Sequence, residues 1–111
     1  MPVVPGEIYL LDDADARLRD SESVRYVLVL RIEGGQADIA YFSSRFDLFR
    51  DGKDIAIYRT WSEFPASGLT MDCYLITDPL GRTKVSKLTH RKGRIGGAFK
   101  QSVEDWWGQA L

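Results

Sequence analysis

The stretch from Arg25 to Ser44 constrains the chain most: Arg-Tyr-Val-Leu-Val-Leu-Arg-Ile-Glu-Gly-Gly-Gln-Ala-Asp-Ile-Ala-Tyr-Phe-Ser-Ser. It reads as two strands joined at Gly34-Gly35. Tight hairpin turns need positive φ, and Gly-Gly between apolar, β-branched runs supplies it. A two-residue loop places Arg25 opposite Ser44. A three-residue loop with a bulge puts Arg25 on one face with Ser43. In both cases a guanidinium and two hydroxyls meet at one end of the hairpin. Such a cluster suits a phosphate, because Arg offers a planar fork of donors and Ser donates or accepts. The plain alternative is an ordinary solvated strand end. Tyr26, Leu28, Leu30 and Ile32 line up as the core side, while Arg25, Val27, Val29 and Arg31 grade toward polar.

Before the hairpin, Pro5-Gly6 opens a strand over 7–11, with Ile8 and Leu10 alternating against Glu7 and Tyr9. Residues 12–23 are polar and read as a long loop, with a helical turn near Asp15 to Leu18 as an option. After it, 45–50 is a short strand or irregular, Asp51-Gly52 is a turn, and 55–59 is a strand. The loop over 60–68 carries Trp61 and Phe64, which form either a base-stacking shelf or a cap on the core edge. A strand is expected over 69–77 and a turn over 78–82. Residues 83–88 form a short strand or one helical turn, and Gly93 to Ile95 forms a last short strand. Phe99, Val103, Trp106, Trp107 and Ala110 fall at helical spacing, so 98–110 is expected to be a helix packed through one apolar stripe. The sum is a mainly β fold: a small, strongly bent antiparallel barrel with a C-terminal helix.

At 111 residues, 44% hydrophobic and 28% charged, the chain reads as one globular domain over 1–111 with a core of its own. Cys73 is the only cysteine, which rules out an internal disulfide and any CxxC metal site; it is expected to be a small core or interface residue. His90 is the only histidine. Apolar runs are strand-sized and the first residues lack a charged, then apolar, leader pattern, so the expectation is a cytoplasmic protein with no membrane span. The charge is unevenly placed. Residues 1–24 carry six acids against Arg17 and Arg19, whereas residues 79–103 carry no acid and seven bases: Arg82, Lys84, Lys87, Arg91, Lys92, Arg94 and Lys100. An acid-free basic block is the footprint expected for a polyanion, or else a solvated basic face.

Several segments, in this order and spacing, resemble the MazF/PemK family of toxin endoribonucleases. They are Pro5-Gly6-Glu7-Ile8-Tyr9, Arg25 with Val27 to Leu30, Ile39 to Ser44, and Gly68-Leu69 with Asp72, followed through Leu75, Asp78 and Leu88 by Gly93-Arg-Ile95 and a final helix. The resemblance implies an SH3-like barrel, usually a homodimer. It also implies metal-independent, cofactor-free cleavage of single-stranded RNA through the RNA's own 2′-hydroxyl, and neutralisation by a cognate antitoxin. Carried over residue by residue, Arg25 would stabilise charge on the pentavalent phosphate or protonate the leaving oxygen, and Ser43 and Ser44 would hold the scissile phosphate. Arg82 would join the catalytic set. Arg19, Thr83, Lys84, Lys87, Arg91, Lys92 and Arg94 would contact RNA. The family's Arg-Thr-x-Asp acid stands here as Lys84, so a base would have to come from Glu7, Asp12 or Asp13. That replacement motivates a second expectation, a module that keeps the fold and binds RNA or a protein partner without cleavage.

Overall fold

Both hairpin glycines sit at positive φ, 59° at Gly34 and 78° at Gly35, as a two-residue turn demands. In the computed structural model, which describes residues 2–12 and 24–111, this turn joins β2 (Val24–Glu33) to β3 (Gln36–Ser43). Pairing starts at Glu33 opposite Gln36 and then slips: Arg31 faces Asp38 and Val29 faces Ile39, leaving Leu30 as an extra residue. This bulge decides the faces. It turns Ile32 off the row of Leu28 and Leu30 and onto the row of Val27 and Val29. The expected single core row through Ile32 is therefore broken. Nor does the second face grade to polar, since Val27 and Val29 are fully buried.

The remaining strands are β1 (Glu7–Asp12), β4 (Ile55–Ile57), β5 (Cys73–Lys84) and β6 (His90–Arg94). All pair antiparallel in one curled half-barrel of order β4-β5-β3-β2-β1-β6. The β1 segment is buried on both faces rather than one, with Glu7, Ile8, Tyr9 and Leu11 all nearly inaccessible. The segment expected as a turn, 78–82, instead lies inside β5. Ile39 pairs with Gly81 and Tyr41 with Ile76, so residues 77–80 form a wide bulge that contains a cis Asp78-Pro79 bond. Gly81 is required there, because a Cβ would collide with the Tyr41 hydroxyl. Asp54 pins the bulge: its carboxylate accepts from Arg50 Nη2 at 2.7 Å, Arg50 Nε at 3.1 Å, Arg50 N at 3.0 Å and Thr77 N at 3.3 Å.

Two apolar clusters cover the two faces of the sheet. The inner one gathers Ile8, Leu28, Leu30, Ala40, Phe42, Ile57, Leu75 and Ile95 beneath Phe99 and Val103 of the C-terminal helix α2 (Gly97–Trp107). Phe42 and Phe99 meet edge to face at 6.2 Å. Trp106 and Trp107 pack against this cluster half-buried, while Ala110 is exposed. The outer cluster holds Tyr9, Leu11, Val27, Val29, Ile39, Tyr41, Tyr74, Ile76 and Leu88. Burial on both sides accounts for the unbroken Val27-Leu-Val-Leu30 run, which no one-sided strand would need.

The loop after β4 carries a four-residue helix, α1 (Phe64–Ser67), that docks on β6. Gly68 and Gly93 permit the approach, since a Cβ on either would strike backbone carbonyls of Lys92 or Ala66. Phe64 is buried in the inner core with partly buried Trp61 packed against it, so these aromatics cap the core edge. Glu63 accepts the Phe99 N–H at 3.1 Å in the first turn of α2, where helices leave donors unmet. Segment 45–50 is a 3-10 turn at Phe46–Leu48, and 83–88 ends β5 and closes with a second 3-10 turn at Val85–Lys87. No helix among the described residues is long and apolar enough to cross a membrane.

Candidate functional site

The Leu30 bulge sets the register that matters for the site. The β2–β3 pairing runs to Val27 opposite Tyr41, and Arg25 and Ser43, each two residues beyond that pair, line one pocket. Leu11 flanks Arg25 on the other side and Tyr74 flanks Ser43. Arg25 and Ser43 are each only 6% exposed. They open into a pocket of about 260 Å³ at the end of the sheet, where β2 begins, β3 ends and β5 begins. Ser44, Arg45 and Thr70 complete its polar side; Tyr26, Phe42, Leu69, Met71 and Cys73 form an apolar wall. Ser43 Oγ accepts the Arg45 N–H at 3.1 Å and keeps its own O–H available for donation.

Cations and hydroxyls dominate the polar side. Among the described residues, the lining contains no carboxylate and no imidazole. Cys73 is no nucleophile: burial, with Asp72 adding to it, pushes its thiol up to about 12, so it stays protonated at neutral pH. The chemistry this arrangement can perform is binding of a phosphate and stabilisation of negative charge that grows on it. Proton abstraction by a pocket side chain lies outside the set that lines it.

The other sequence-nominated residues divide into three groups. Ser44 joins Arg25 and Ser43 in the pocket. Arg82, Thr83 and Lys84 sit at the far, turn end of β5, opposite Asp38, Ala37 and Gln36. Asp38, opposite Arg82, is five residue steps along β3 from Ser43, about 16 Å of strand. The grouping of Arg82 with Arg25 and Ser43 as one catalytic set is thus not what the fold builds within this chain. Arg82 instead points its Nε at Asp38 Oδ1, 3.6 Å away, and shares that carboxylate with Arg31. Thr83 is buried. Lys87 lies in the 3-10 turn after β5, and Arg91, Lys92 and Arg94 lie on the edge strand β6. Of the loop expected over 12–23, residues 13–23, with Asp13 and Arg19, fall outside the described residues, whereas Asp12 is the last residue of β1, paired with Val24.

Glu7 is committed elsewhere. Its carboxylate binds Arg91 Nε at 2.8 Å, the Tyr9 hydroxyl at 3.0 Å and the Val4 N–H at 2.8 Å. Burial, reinforced by the hydrogen bond to Glu7, pushes the Tyr9 phenol up to about 12. Glu7 stands four residues along β1 from Leu11, the partner of Arg25, which is about 13 Å. It is not a base for this pocket.

Sequence reasoning missed Arg45, Thr70 and Met71. Arg45 had a signal, since a cation directly after Ser43-Ser44 extends the polar cluster. Thr70 and Met71 had none, because docking of α1 on β6 carries them to the pocket mouth. No protein-family model matches the chain, and no curated protein matches its sequence.

Proposed function

We propose that the chain is a metal-independent endoribonuclease of the toxin kind, an mRNA interferase on an SH3-like barrel, which cuts single-stranded RNA at a phosphodiester held by Arg25, Ser43 and Ser44. The observation that carries this reading is that Arg25 and Ser43, both nearly buried and on neighbouring strands, line one pocket. The guanidinium supplies fixed donors where charge develops as the 2′-oxygen attacks phosphorus and the 5′-oxygen departs. The products are a 2′,3′-cyclic phosphate and a 5′-hydroxyl end. The hydroxyls of Ser43 and Ser44 orient the non-bridging oxygens. Lys92 and Arg94 on β6 form no ion pair with another described residue and would track the backbone. The same reading makes the protein a cytoplasmic homodimer silenced by a cognate antitoxin.

A second reading has one specific observation in its favour: the described lining offers no proton acceptor. On that reading the module grips RNA or a protein partner and does not cut. Incubation with a long single-stranded RNA in EDTA, followed by mapping of the ends, separates the two. Discrete cuts with cyclic or 3′-phosphate ends, lost in Arg25→Ala, support the nuclease. Binding without cuts at any pH supports the non-cutting module. Cleavage that survives unchanged in Arg25→Ala refutes the role given to the pocket.

A further inference from the structure

Arg45 stands at the pocket beside Ser43 and Ser44. Its backbone is held at both ends: its N–H donates to Ser43 Oγ at 3.1 Å, and its carbonyl accepts from the Tyr74 hydroxyl at 3.0 Å. Its side chain lines the pocket, yet the guanidinium is engaged by Asp47, with Nε to Oδ1 at 3.3 Å and Nη2 to Oδ2 at 2.9 Å. Both side chains of this pair are well exposed, 59% and 62%. By contrast, Asp54 has a side chain at 0% exposure beneath Arg50, and Glu7 is buried under Arg91. Those two pairs hold the fold together. The Arg45–Asp47 pair is instead exposed and lies within a single 3-10 turn.

An exposed ion pair contributes little and yields readily to a competing anion. A phosphodiester presents the same two-oxygen edge to a guanidinium as a carboxylate does. We infer that Arg45 is a second anion-gripping residue of the pocket, and that Asp47 occupies its guanidinium until a phosphodiester takes the carboxylate's place. This rests on the reading of the pocket as a nucleic-acid site. Arg25 forms the fixed, buried grip and Arg45 the exchangeable one at the rim. The apolar wall of Tyr26, Phe42, Leu69 and Met71 fits an unpaired base beside the phosphate, so the ligand class is a single-stranded phosphodiester rather than a bare anion. Asp47 also raises the threshold for weak anions, because a ligand must outcompete it.

The test uses a fluorescein-labelled 2′-O-methyl oligoribonucleotide, which lacks the attacking hydroxyl and reports binding alone. Anisotropy titrations over a salt series compare wild type, Arg45→Ala, Asp47→Asn and the double variant. Arg45→Ala is expected to weaken binding about tenfold and to lower the salt slope by about one. Asp47→Asn is expected to tighten binding about two- to fivefold, and the gain is expected to vanish in the Arg45→Ala background. A gain that persists there reflects bulk charge and overturns the exchange, as does an Arg45→Ala protein that binds like wild type. A second probe keeps the two readings apart: inorganic phosphate, followed through the arginine 15Nε resonances. If phosphate moves the Arg45 signal while the oligonucleotide does not bind, the anion grip stands and the nucleic-acid reading fails. If phosphate leaves that signal still, the grip itself is overturned.

Discussion

Removing the Asp54 carboxylate is expected to unfasten the β5 bulge. Four donors converge on it: three from Arg50 and the Thr77 N–H. The Arg50 side chain is 29% exposed and also donates to the Asp78 carbonyl at 2.8 Å, so it regains water cheaply when Asp54 is lost. The two backbone N–H groups are part-buried and lose their acceptor, at roughly 1 kcal/mol each, and the lost charge-assisted pairing adds about 1 kcal/mol more. Asp54→Ala should therefore destabilise by about 3 kcal/mol, a lowering of Tm by roughly 12 °C for a domain of this size. Urea denaturation followed by tryptophan fluorescence measures it. Burial alone would raise the Asp54 carboxyl, but Arg50's side chain and the N–H groups of Arg50 and Thr77 hold it below the usual carboxylate range. A folded-state value below the unfolded one means stability that is present above the unfolded value, near pH 4, and is lost as pH falls through the folded value. Wild type should thus lose stability in acid through this group, and Asp54→Ala should lack that share of the acid limb. A loss under about 1 kcal/mol with an unchanged denaturant slope would show that water replaces the carboxylate and would refute the clip.

Three further outcomes follow from the same geometry. On the proposed reading, Ser43→Ala should leave the fold intact by circular dichroism but reduce RNA cleavage about a hundredfold, since it removes a hydroxyl from the pocket's polar side; unchanged cleavage would exclude Ser43 from the site. On the proposed reading the pH profile identifies the base: a cleavage rate that rises tenfold per pH unit from 6 upward means that hydroxide removes the 2′-proton, and a plateau near neutrality means that a protein group does. Phe99→Ala empties the fully buried centre of the α2 contact and should cost about 4 kcal/mol in denaturant titration, whereas a cost below about 1.5 kcal/mol would show that α2 is not seated as described.

The strands around Gly34-Gly35, the terminal helix with Phe99 and Val103 inward, and the meeting of Arg25 with the two hydroxyls of Ser43 and Ser44 at one end of the hairpin were legible in the chain itself. Each rests on local chemistry: positive φ at paired glycines, apolar spacing of 3.6, and the length of two strands measured from one turn. What tertiary structure alone decided was register. The extra residue at Leu30 shifts the pairing beyond it, so that Val27 faces Tyr41, and moves Ile32 to the opposite face. The bulge at 77–80 keeps β5 whole and leaves Arg82 beside Asp38, along the strand from the pocket. A strand's side chains alternate with period two, so one inserted residue reassigns every face beyond it, and no local pattern announces where the insertion falls. The pocket's other wall depends on α1 reaching β6 through Gly68 and Gly93. That contact joins segments far apart in the chain, and its requirement is written only as two glycines whose meeting the fold must first bring about.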